Sequence, residues 1–112
     1  MGKYQEKLLA MGLCDERMAA FCATATNLPR GEYGMVLLAV KGNMLSLYDV
    51  DMKSDPQDLL YTIPLNEIEN LKYSTFVLTA QLKFTWKGEG FRFTNFAGVK
   101  SALEVIKTES QK

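Results

Sequence analysis

The chain has 112 residues, enough for one domain with its own core and no covalent staples. Hydrophobic residues make up 47% and charged residues 23%, the balance of a soluble globular protein. Basic and acidic residues number 13 each, which argues against a dedicated nucleic-acid binder, and no apolar run approaches the about 18 residues of a membrane-spanning helix.

Residues 1–7 mix charges and lack the apolar centre of a signal peptide, so the expected location is cytoplasmic. Gly2 invites a myristoylation reading, but Glu6 stands where that motif wants Ser or Thr. Tyr4, Leu8 and Met11 share one helical face and Gly12 is a helix stop, which predicts a short helix over residues 3–11. A helix that short must dock on something, and residues 1–12 read as an extension to the main domain. Cys14 and Cys22 fit no zinc or redox spacing and read as free, buried thiols. Residues 18–26 leave two possibilities open: their alanine content favours helix, while 21–26 also suits a first strand. Asn27, Pro29 and Gly31 mark a loop.

Strands are predicted next over residues 33–40, 44–50 and 58–63, the last closed by Pro64, then a less regular one over 66–73 anchored by Ile68, Leu71 and Tyr73. Met35 to Val40 is apolar on both faces, so the face carrying Val36, Leu38 and Val40 needs the helix of residues 3–11 or a second subunit as a cover. From Phe76 to Trp86 the chain alternates without a slip, with Leu82 and Phe84 on one face and Lys83 on the other. Residues 87–90 then turn, and Phe91-Arg92-Phe93 resumes the alternation as a hairpin. Phe96, Val99, Leu103 and Ile106 recur at helical spacing, with Asn95 as the expected N-cap, Lys100, Glu104 and Lys107 spaced for surface pairs, and residues 109–112 frayed. Short connections demand antiparallel neighbours. The fold class is therefore mainly β: an antiparallel barrel of six or seven strands, capped by a C-terminal helix over residues 96–108.

The residues offer little chemistry. The absence of histidine removes the commonest general base and metal ligand, and no cofactor motif is present. Asp49 to Asp55 fails as a calcium loop, because Lys53 and Ser54 stand where Asp or Asn and then Gly are needed. Glu67 and Glu69 read as exposed residues on one strand face, and Tyr33, Tyr48, Trp86 and Phe91 as core or rim aromatics. Lys83, Lys87 and Arg92 form the candidate binding surface, suited to acidic headgroups or a partner's carboxylates.

Three stretches carry a family likeness: Tyr61-Thr62-Ile63-Pro64-Leu65-Asn66-Glu67-Ile68-Glu69-Asn70-Leu71, the strand ending Leu82-Lys83-Phe84-Thr85-Trp86, and Phe91-Arg92-Phe93-Thr94-Asn95-Phe96 entering the last helix. In order and pattern the chain resembles the pleckstrin-homology-like (PH-like) superfold, in its GRAM-like and bacterial PH-like branch. The resemblance implies that residues 21–26 are the first of seven strands and that the helix of residues 3–11 is an addition. Phosphoinositide-binding members place several basic residues in the first inter-strand loop; here residues 27–34 offer Arg30 alone, beside Glu32.

Together these features point to a non-enzymatic binding or scaffolding module, without cofactor or metal, whose partner is another protein or a second copy of itself. The alternative is a peripheral membrane module recognising anionic lipid headgroups.

Overall fold

The computed structural model describes residues 3–53, 55–74, 80–96 and 100–112. In chain order the elements are α1 (Lys3–Ala10), β1 (Ala20–Asn27), β2 (Gly34–Lys41), β3 (Met44–Val50), β4 (Pro56–Pro64), a 3-10 turn (Leu65–Glu67), β5 (Glu69–Ser74), β6 (Gln81–Trp86), β7 (Glu89–Thr94) and α2 (Lys100–Ser110). The seven strands form one antiparallel sheet in the order β4-β3-β2-β1-β7-β6-β5. Two meanders, β1–β4 and β5–β7, are thus joined edge to edge by β1 and β7. Among the described residues the outer strands β4 and β5 are not paired with each other, so the seven-stranded sheet has an open side between them. The 3-10 turn bridges that side, and α2 packs against it.

Period-two alternation puts Phe21, Ala23 and Ala25 of β1, Leu45 and Leu47 of β3, Leu82 and Phe84 of β6, and Phe91 and Phe93 of β7 inside. Phe84 and Phe91 stack with centroids 5.0 Å apart, and Tyr61 meets Phe91 edge-on at 5.2 Å. Ala102, Leu103 and Ile106 of α2 seal this core, each large side chain stabilising the fold by about 1.5–3 kcal/mol on burial. The capping helix predicted from sequence is therefore present, with Val99 outside the described residues.

A second, smaller cluster lies on the outer face of β1–β3, where Leu8 of α1 covers Leu37 and Ala39. The faces of the apolar strand β2 are exchanged: Val36, Leu38 and Val40 point into the main core, and on the other row α1 covers Leu37 and Ala39 while Met35 stays exposed. Gln5 Nε2 donates to Ala20 O at 3.1 Å, Tyr4 shares a hydrogen bond with Cys22 Sγ at 3.3 Å, and Lys7 pairs with Asp55. Both cysteines are free; Cys14 is buried and Cys22 half-buried.

Other expectations need correction. The residue 18–26 ambiguity resolves to strand from Ala20 onward. The turn expected over residues 87–90 is tighter: Trp86 pairs with Glu89, leaving Lys87 and Gly88 alone with φ of 54° and 78°. Two successive positive φ angles follow the right-handed twist of a hairpin, so Glu89 and Gly90 already belong to β7. β6 begins at Gln81, and residues 76–79 of the long alternation lie outside the described residues. Asn95 has φ of 58° and its side-chain amide donates to Thr24 Oγ1 at 3.4 Å, so it turns the chain out of β7; the residues a cap at Asn95 would serve lie outside the described residues. The end of α2 is not frayed: helix continues to Ser110, and Glu109 is buried and paired with Arg17. Glu104 accepts from Tyr73 Oη at 2.8 Å rather than pairing with a lysine of its own helix. Glu67 and Glu69 share no strand, because Glu67 sits in the 3-10 turn. Tyr33 is exposed and so is not part of the core.

Candidate functional site

The register of β5, β6 and β7 builds the site. Lys72 lies opposite Lys83, and Lys83 lies opposite Arg92, so three adjacent strands each present a cation in one transverse row. Since Leu82, Phe84, Phe91 and Phe93 occupy the core, the intervening residues must face outward, and all three cations are exposed. Among the described residues none of the three is in an ion pair. Like charges directly opposite one another are unfavourable in a sheet, so the row is a local cost that an anion would relieve.

A groove of about 390 Å³ runs along this row. Gly90, Phe84 and Phe91 also line it, with Asn27 on the β1 side and Asn70 on the β5 side. Arg92 Nε donates to Gln81 Oε1 at 3.1 Å, which fixes the guanidinium. Asn27 Nδ2 donates to Gly90 O at 3.1 Å, and Asn70 Nδ2 to Thr85 Oγ1 at 3.2 Å, so both end amides are held in place.

Of the three residues nominated from sequence, Lys83 and Arg92 come together here and Lys87 does not. Lys87 is on the β6–β7 turn, its Nζ 4.8 Å from the centre of the Trp86 ring, while Trp86 Nε1 donates to Glu67 at 3.0 Å. Lys72 is the member that sequence reasoning missed. The pairing of β5 with β6 shifts between Glu69 and Lys72, and Asn70 has φ of 56°, so the strand shows no clean alternation. The available signal was local: the apolar anchors Leu71 and Tyr73 flank Lys72 and turn it outward.

The first inter-strand loop offers no free cation. Arg30 pairs with Glu32 at 3.1 Å, lies 4.3 Å from the centre of the Tyr61 ring, and hydrogen-bonds Leu60 O. Tyr61 Oη in turn donates to Glu32 at 2.8 Å. A second groove of about 480 Å³ lies between β5 and the end of α2, with Leu71, Tyr73 and Lys107 in its wall.

Little else has the makings of chemistry. Burial pushes the Cys14 thiol up, away from the thiolate a nucleophile needs. Asp51 accepts the backbone N–H groups of Lys53 and Asp55, both at 2.9 Å, and so closes its own loop. Among the described residues no three His, Cys, Asp or Glu side chains converge as a metal site would require. No described helix is long and apolar enough to cross a membrane.

No protein-family model and no curated protein sequence matches the chain. Among solved structures it is similar to Inner Membrane Complex Sub-compartment Protein 3 from Toxoplasma gondii, with a TM-score of 0.54 and 14% identity, over 99% of this chain and 86% of that one. At that identity the likeness bears on the fold alone, a mostly β globule with helices at its two ends.

Proposed function

We propose that this chain is a non-enzymatic, PH-like binding module of the cytoplasm that engages an acidic segment of a protein partner through the outer face of β5–β7. The strand order and the helix over the open side support the PH-like assignment, alongside the Ile63-Pro64-Leu65 and Phe91-Arg92-Phe93 elements. The free thiols suit a reducing compartment. The observation that carries the functional reading is the row Lys72, Lys83, Arg92, three exposed cations with no acidic partner among the described residues of a chain with no net charge.

A protein partner is favoured over a membrane by where the apolar residues lie. The exposed large hydrophobics are on α1, in loops, and on β2 and β4; among the described residues of β5–β7 there is none to insert beside the cations. Self-association has less to draw on than the sequence suggested, since α1 covers Leu37 and Ala39.

The test is equilibrium binding of a fluorescein-labelled oligo-aspartate peptide beside co-sedimentation with phosphatidylserine vesicles. The peptide should bind, binding should be lost in Lys83→Glu/Arg92→Glu, and vesicles should retain no protein. Vesicle retention that disappears at high salt, without peptide binding, would assign the face to anionic lipid instead.

A further inference from the structure

We propose that the groove on β5–β7 is a phosphate-recognition site, taking one phosphorylated serine or threonine of a protein partner, with the phosphate between Lys83 and Arg92 and Lys72 completing the row. This rests on the protein-binding role proposed above and narrows it to a modified side chain.

The spacing favours one compact polyanion. Neighbouring strands are about 4.8 Å apart, whereas successive same-face carboxylates of an extended peptide are about 6.7 Å apart. A single group with three acceptor oxygens and nearly two negative charges matches the tighter set. Arg92 is already oriented through Nε by Gln81, and among the described residues nothing binds its two terminal nitrogens, which leaves the fork that phosphate takes.

The floor has the right shape. A glycine inside a strand often marks the close approach of another backbone or a ligand. Gly90 lines the groove between Thr85 and Arg92 without a side chain, and its close neighbour is the Asn27 amide, which a Cβ there would meet at 3.3 Å. The groove also runs past the cations to Asn27 and Asn70, further than a free phosphate would fill, which points to a phosphate carried on a chain.

The experiment is fluorescence polarisation with the whole chain and three labelled degenerate peptide pools that differ only at the centre: phosphoserine, serine, or an Asp-Asp pair of similar charge. The phosphoserine pool should bind at least about tenfold more tightly than either of the others, and inorganic phosphate should compete. Lys83→Gln or Arg92→Gln should each weaken it about tenfold, and Lys87→Gln, outside the groove, should leave it unchanged. Gly90→Val should weaken it without altering charge, and Gly90→Ala serves if thermal melting shows the valine variant unfolded. Equal binding of the Asp-Asp and phosphoserine pools would overturn phosphate recognition and leave the acidic-partner role standing. Failure of all three pools would overturn both, and retention on phosphatidylserine vesicles in that case would identify a membrane as the source of the anion.

Discussion

Arg17 Nη1 donates to Glu109 Oε2 across 2.7 Å, joining the loop ahead of β1 to the last turn of α2. The same guanidinium donates to Asp15 Oδ2 and to Gly42 O in the β2–β3 turn, both at 2.7 Å, so one side chain ties three segments together. Hydrogen bonds from Arg17 hold the carboxyls of both Asp15 and Glu109 below the ordinary carboxylate range. Carboxyls depressed in the folded state stabilise it above about pH 4, and that contribution is lost as pH falls through their folded values. The melting temperature should therefore be nearly level between ~pH 7 and ~pH 5 and drop below ~pH 4. Arg17→Ala should melt earlier at neutral pH and show a shallower acid drop, as circular dichroism melts would reveal. An unchanged acid limb in that variant would refute the linkage.

The two faces of β6 should respond in opposite directions. Leu82→Asp places an unpaired charge in the core and should leave no cooperative unfolding transition. Lys83→Glu puts an acid between Lys72 and Arg92 and should raise stability by about 0.2–1 kcal/mol in urea titrations while abolishing anion binding. A stabilised but non-binding variant would mark the row as kept at a cost to the fold.

Leu8 should act as the anchor of α1. Leu8→Ala leaves a hole over Leu37 and Ala39 and should cost about 2–5 kcal/mol. Removing residues 1–12 should expose that outer cluster and lower solubility, measured by light scattering after size exclusion. A fully soluble monomer after the deletion would show that α1 is dispensable as a cover.

Lys87 holds a left-handed conformation that asparagine tolerates better. Lys87→Asn should raise the urea midpoint, a gain of up to about 1 kcal/mol, reduced by the lost contact with Trp86. A lower midpoint would show that the cation–ring contact matters more than the backbone.

Legibility in the sequence followed the physics of each position. The inward faces of β6 and β7 were readable because aromatic residues alternate with polar ones, and α2 because Leu103 and Ile106 recur at helical spacing. The two faces of β2 were not separable, since both are apolar and parity is set only by pairing with β1 and β3. Glu109 looked like tail because its partner, Arg17, lies at the far end of the chain. Asn95 is as good an N-cap as a left-handed turn residue, and nothing local decides between them. Lys83 and Arg92 of the site were legible from alternation alone, while Lys72 sits behind a bulge that breaks it.

The pairing of β1 with β7 carries a kinetic consequence. Each meander assembles from neighbours in sequence, but Thr24 meets Thr94 only after most of the chain has been looped back. Loop closure of that length makes this seam the slow step expected of the fold. Until it forms, β1 presents an open edge, and a nascent chain carries that edge until β7 has left the ribosome. A circular permutant cut between β4 and β5, where no strand pairing is lost, would bring β7 and β1 closer along the chain. Its refolding should be faster than that of the natural order in stopped-flow measurements, with the same seven strands at the end.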